Sequence, residues 1–253
     1  MRPKKNSYIG FLLIIALYSF DFSINPKINI VFIGDSITQG EQAEGAPPAY
    51  ATGFLKKQPG LGDVKFSNQG VSGCTTVDFL PSTATHFREV EKAADTLYAD
   101  KQATLIFSIM LGTNDSAIDG PLGSPVSSGS YLNNLSIIID SLLRHYPDSK
   151  IIIHYPLWYS PNTYNTSKYL QEGLTRLQTY FPIIDSLVKK YSKTNSGHVF
   201  GGDKNAFGYF KQHHLSHMLK ENGQQGIFYL HPNEEGAKEL GKFWGKAILK
   251  IAQ

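Results

Sequence analysis

Four short polar segments of this 253-residue chain carry side chains suited to nucleophilic and acid–base chemistry. Gly34-Asp35-Ser36 follows an apolar run. A hydroxyl at that place, with a helix behind it, can act as a nucleophile in a cleft or simply cap the helix. Asn68-Gln69-Gly70-Val71-Ser72-Gly73 has two glycines three apart. That spacing either brings main-chain N–H groups close to a ligand or makes an ordinary turn. Gly112-Thr113-Asn114-Asp115 ends a second apolar run. The amide of Asn114 can donate to a developing oxyanion, while an Asx turn or cap is the plainer reading, for Asp115 above all. His231-Pro232-Asn233 is the one histidine-bearing segment, of the eight histidines, at a loop-to-helix junction beside a proline. An imidazole there can take a hydroxyl proton and return it to a leaving group.

The elements that must position these groups follow from periodicity. Ile28–Ile33 and Ala103–Leu111 are near-continuous apolar runs stopped by Gly34 and Gly112. Lys150–His154 is a third, with Val64–Asn68 and His198–Phe200 as weaker strand candidates. Tyr131, Leu132, Leu135, Ile138, Ile139, Leu142 and Leu143 recur at helical spacing. Leu170, Leu174 and Leu177 do likewise, and Pro182 is expected to open a separate helix with Ile184, Leu187, Val188 and Tyr191. A last helix should follow Asn233, with Glu234 and Glu235 at its positive end and Lys246 and Lys250 near its negative end. Strands buried on both faces and alternating with helices imply an α/β fold with a parallel sheet, whose sites lie at the carboxyl ends of the strands. Three of the four polar segments stand at those ends. No repeat, low-complexity block or linker divides the chain, so one domain is expected.

Composition excludes several classes. An aromatic share of 12% is incompatible with a disordered chain. A single cysteine rules out an intrachain disulfide and a four-cysteine zinc site. The formal charge of +3 comes from Arg2, Lys4 and Lys5, leaving 21 basic against 21 acidic residues, so no electrostatic footprint for nucleic acid is present. Those three charges precede an apolar run from Ile9 to Phe20, the pattern of a secretory signal rather than of a membrane span. Residues 1–23 are therefore read as a signal peptide, with an uncleaved anchor or a buried helix as the alternatives, and 24–253 as the mature domain, secreted or periplasmic. The G-x-S-x-G elbow, the phosphate loop and G-x-G-x-x-G after a strand are all missing.

Taken together, GDSITQG (Gly34–Gly40), NQGVSG (Asn68–Gly73), LGTND (Leu111–Asp115) and HPNEEG (His231–Gly236) resemble the GDSL/SGNH hydrolase family, in the family's order and over nearly the whole mature chain. The resemblance implies a flavodoxin-like three-layer α/β/α domain, here with a parallel five-stranded sheet. It implies Ser36 as the catalytic nucleophile and His231 as the general base. It also implies an oxyanion hole from the N–H groups of Ser36 and Gly73 and the side chain of Asn114. No metal and no organic cofactor is implied.

One position departs from the family. An Asp usually stands three residues before the histidine, and Phe228 stands there instead. Three readings stay open: a backbone carbonyl or water holds the imidazole, an acid from elsewhere does, with Glu221 and Asp203 the nearest upstream, or the site is impaired.

The expected reaction is hydrolysis of an ester through a Ser36 acyl-enzyme, with acyl, notably acetyl, groups on a carbohydrate as the substrate class. An O-acyltransferase on the same residues and a glycan-binding module on a decayed esterase fold are the alternatives. The aromatic loop Pro156–Tyr164 offers Trp158 and Tyr159 as faces for a sugar ring, core packing being the equal alternative. The long segment from Gly201 to Gly226 is expected to form a lid or cleft wall. Its His213, His214 and His217 read as solvated helix surface rather than a metal site. Cys74 reads as a small turn residue.

Overall fold

The computed structural model describes residues 25–40, 44–83 and 85–252; the expected signal at 1–23 lies outside them. Five parallel strands form the central sheet: β1 (Lys27–Gly34), β2 (Val64–Gly70), β3 (Ala103–Met110), β4 (Lys150–Ile153) and β5 (Val199–Gly201). They are ordered β2-β1-β3-β4-β5. All five expected strands are present, each within two residues of its expected bounds. The order reverses direction at β1, which pairs with β2 on one side and β3 on the other. In a doubly wound sheet the crevice opens at such a switch point, and Ser36 follows β1 directly.

Helices cover both faces. Alternate residues of β1 point opposite ways, as a strand requires. Phe32 stacks on Trp244 of α7 (Glu234–Ala252), with ring centroids 5.9 Å apart. On the other face Asn29 donates to the carbonyl of Leu97 in α3 (His86–Tyr98). Phe107 on that same side packs against Tyr146 at the end of α4 (Ser128–His145). α2 (Pro47–Leu55) lies against α7. α4 is capped by Ser127, whose hydroxyl accepts from the N–H of Ser130, and it packs on α5 (Leu170–Thr194).

α5 corrects one expectation. It is a single 25-residue helix, Leu170–Thr194, with Pro182 inside it. Proline removes one helical hydrogen bond and opposes the preceding turn. The buried side chains of Leu177 and Tyr180 before it, and of Ile184 and Leu187 after it, hold both halves in register.

The segment from Gly201 to Gly226 is folded. It contains α6 (Ala206–His217) and the first strand of an antiparallel hairpin, β6 (Glu221–Gly223) with β7 (Gly226–Phe228). Between β1 and α2 stands a single turn, α1 (Ser36–Gln39). Among the described residues no helix is long and apolar enough to cross a membrane.

Candidate active site

Ser36 opens α1 because Asp35 caps that turn: Asp35 Oδ1 accepts from the N–H of Ile37 at 3.0 Å. Asp35 is fully buried, and burial pushes its carboxyl up to about 6, against the pull of the Ile37 N–H and the charge of His231. The second motif braces the same turn. Asn68 Nδ2 donates to the carbonyl of Thr38 at 3.0 Å, and Gln39 Oε1 accepts from the N–H of Ser72 at 2.7 Å. Much of the two motifs is therefore scaffold, tying the loop of Gly73 to the turn of Ser36.

Across the chain, 195 residues apart, Ser36 Oγ and His231 Nε2 lie 3.0 Å from each other. Each residue is 9% exposed, enough for access from one side only. The outer nitrogen of His231 faces a carboxylate: Nδ1 lies 3.1 and 3.0 Å from Glu221 Oε1 and Oε2. The main-chain N–H of His231 donates to Glu221 Oε1 as well, at 3.2 Å. A carboxylate on Nδ1 holds the proton there and leaves the Nε2 lone pair for the serine hydroxyl.

Of the two acids named from the sequence, Glu221 is thus brought to the imidazole and Asp203 is not. Asp203 Oδ2 instead accepts from the N–H of Ala206 at 2.7 Å, at the start of α6. The carboxylate comes from the neighbouring strand of a hairpin. In the β6–β7 hairpin Glu221 is the register partner of Phe228, which is itself buried.

The loop before α7 is held against α6. The N–H of Asn233 donates to the carbonyl of His217 at 3.0 Å, and that of Leu219 to the carbonyl of His231 at 2.8 Å. Gly236 is required there, since a Cβ on it would overlap the His217 carbonyl oxygen.

Gly73 has φ of +77°, a left-handed conformation that favours glycine, and the space where its Cβ would stand is open. Its N–H donates to no acceptor among the described residues. Asn114 is oriented at both ends of its amide. Nδ2 donates to the carbonyl of Cys74 at 3.0 Å, which leaves one N–H free, and Oδ1 accepts from the hydroxyl of Tyr169 at 2.6 Å.

Tyr169 belongs to no motif, and its place before α5 gave no sign of this contact. It is buried and precedes Leu170, a non-glycine residue at φ of +54°. The N–H groups of both residues donate to the carbonyl of Thr163, at 3.2 and 3.1 Å. Backbone held in that sparsely populated region needs surrounding structure to fix it. The following motif residue, Asp115, lies fully buried and accepts from the N–H and hydroxyl of Thr76. Burial, only partly offset by Thr76, pushes its carboxyl up to about 7.

The aromatic loop is core. Tyr159 has no exposed surface and its hydroxyl bonds Ser116 Oγ at 2.8 Å, while Trp158 packs on His214 and is 6% exposed. Tyr159 therefore offers no ring face to a sugar, whereas Trp158 borders a surface cavity together with Pro161, Gln171 and Gln178. His217 shares a hydrogen bond with Tyr209, and His214 packs against Tyr229.

A three-layer α/β/α fold with a serine–imidazole pair at the carboxyl ends of its strands is the architecture of SGNH hydrolases. The chain belongs to the GDSL-like lipase/acylhydrolase family, whose profile matches residues 32–239, and it is a carboxylic ester hydrolase. No curated protein sequence matches it. Solved structures with the same fold include an acetylxylan esterase from Geobacillus stearothermophilus, with 19% identity, TM-score 0.54, and 91% of this chain and 96% of that one covered. A lipase/acylhydrolase from Enterococcus faecalis aligns at 17% identity and TM-score 0.53, over 87% of this chain and 95% of that one. A gut microbial diltiazem-metabolizing enzyme aligns at 16% identity and TM-score 0.54; 90% of this chain is covered, and it spans about half, 47%, of that longer chain.

Proposed function

We propose that the chain is an exported serine esterase that removes acyl groups, acetyl in the first instance, from a carbohydrate through a Ser36 acyl-enzyme. The observation that carries the mechanism is the line of contacts from Ser36 Oγ through His231 to the Glu221 carboxylate. His231 Nε2 takes the Ser36 proton as Oγ attacks the ester carbonyl carbon. The tetrahedral oxyanion accepts from the N–H groups of Ser36 and Gly73 and from the free amide N–H of Asn114. Collapse breaks the bond to the alkoxide, which leaves with the proton held on His231. Water then gives His231 a proton and attacks the acyl carbonyl; collapse releases the acid, and His231 returns the proton to Ser36 Oγ. Glu221 keeps the proton on Nδ1 and stabilises the imidazolium formed in each half-reaction.

Tyr169 acts one step away, as a positioning residue. With Oδ1 of Asn114 on its hydroxyl and Nδ2 on the Cys74 carbonyl, the amide is pinned and its second N–H keeps one direction. Donors already aimed before the charge develops need no reorganisation at the moment of reaction.

The acetyl-carbohydrate part of the reading is supported by the likeness to an acetylxylan esterase. Export is supported by Arg2, Lys4 and Lys5 ahead of the apolar run Ile9–Phe20, with residues 24–253 as the mature catalytic domain. The test is hydrolysis of a chromogenic acetate and of acetylated xylan by the wild type and by Ser36→Ala. Turnover by the wild type alone is expected. Equal turnover by both would remove Ser36 from the mechanism, and turnover by neither would favour a binding role.

A further inference from the structure

Beside the oxyanion loop lies a cluster of side chains that ester hydrolysis does not use. Cys74 Sγ, a carboxylate oxygen of Asp78 and a ring nitrogen of His86 all lie within 4.8 Å of one another. From the position of these three donors we infer that they form a binding site for one borderline divalent cation, zinc in the first instance. The site would clip the loop that carries Gly73 to the start of α3.

Several features of the cluster suit a cation. A thiolate, an imidazole and a carboxylate together select zinc-like ions over magnesium or calcium, which prefer all-oxygen cages. The carboxylate is already oriented: Asp78 Oδ2 accepts from the N–H of Thr75 at 2.8 Å and from its hydroxyl at 3.0 Å. Such outer partners commonly aim metal ligands. The His86 ring rests against Phe79, with centroids 5.6 Å apart. Bonds of about 2.0–2.3 Å in a tetrahedral site put ligand atoms roughly 3.3–3.8 Å apart. Closing the cluster therefore takes a movement of about 1 Å, within reach of the two half-buried side chains, Asp78 and His86. A fourth position is left for water. As the chain's single cysteine, Cys74 has no intrachain disulfide partner to compete.

The thiol loses its proton on binding. Burial first, then the carboxylates of Asp78 and Asp35, push Cys74 up to about 12, so it is protonated at neutral pH without a cation. Binding breaks the Sγ–H bond, sends the proton to solvent and gives the sulfur lone pair to the metal.

The clip touches the proposed oxyanion hole at two points. Cys74 follows Gly73, and its carbonyl receives Asn114 Nδ2.

The test is a titration of the full chain with cobalt(II) chloride, read in the near-ultraviolet thiolate-to-cobalt charge-transfer band. With one cysteine in the chain, such a band can arise only from Cys74. The expected result is saturation at one equivalent, bleaching by zinc chloride, and loss of the band in Cys74→Ser. His86→Ala, shown to be folded by circular dichroism, should bind at least about tenfold more weakly. Absence of the band, or a wild-type titration by His86→Ala, would overturn the inference. So would cobalt binding without the band, by surface histidines such as His213. The readout involves no ester turnover, so its failure is separate from any failure of the esterase reading.

Discussion

Glu221 and Phe228 face each other across the β6–β7 hairpin, and the carboxylate of Glu221 reaches the imidazole that an acid at position 228 would otherwise serve. The phenyl ring of Phe228 turns into the core, which anchors the hairpin from which the carboxylate extends. Side-chain and main-chain nitrogens of His231 both contact this carboxylate, so ring and loop are held by one group.

Glu221→Gln should therefore lower kcat by about 10²–10⁴-fold, because an amide can present its NH₂ to Nδ1 and stabilise the wrong tautomer. Asp203→Asn, which alters only the cap of α6, should stay within a few-fold of wild type. Steady-state kinetics on a short chromogenic ester separate the two. Equal losses would mean that the Glu221 contact is structural.

Asn114→Ala deletes a proposed oxyanion donor and should cost about 10²–10³ in kcat. Tyr169→Phe removes only the hydroxyl that orients it, with an expected loss of about tenfold in kcat at unchanged KM. A matching fall in thermal midpoint with kcat intact would assign Tyr169 to packing alone. The double variant should be no slower than Asn114→Ala, since Tyr169 is argued to act through that amide.

Gly236→Ala forces a methyl into the His217 carbonyl and should destabilise the fold by about 1–3 kcal/mol. Because the displaced loop carries His231, kcat should drop further than the thermal midpoint alone accounts for. Urea unfolding and turnover on the same preparations test both halves.

Asp115 makes a pH prediction. Its carboxyl keeps a proton to about 7 when folded, against an ordinary value of 3.8. Between those values the native chain binds the extra proton, so the stability contributed by this group is complete below about pH 4 and is lost as pH rises through 7. Wild type should lose stability relative to Asp115→Asn across that window and run parallel to it above. Urea midpoints of both proteins over the range give the comparison. A constant gap would contradict the buried, protonated carboxyl.

Sequence patterning was sufficient for the parallel strands, for the helices of residues 131–143 and 234–252, and for placing three of the four polar segments at strand ends. These rest on local periodicity, which a strand or helix imposes on its own residues. Ser36 and His231 were legible through their motifs, although their 3.0 Å approach is a product of the whole sheet and its last helix. Pro182 misled because its local cost is outweighed by packing on both sides of it. Tyr159 lies in the core, which its sequence did not decide, because aromatic residues look alike whether they line a cleft or fill a core.

The partner of His231 and the bridle on Asn114 belong to tertiary structure alone. Glu221 and Asp203 are both acids upstream of the histidine, and no spacing rule separates them. Only the register of a short hairpin turns one toward the ring, while the other caps a helix. Tyr169 meets Asn114 across 55 residues through one hydrogen bond, and such a contact leaves no periodic trace in the chain.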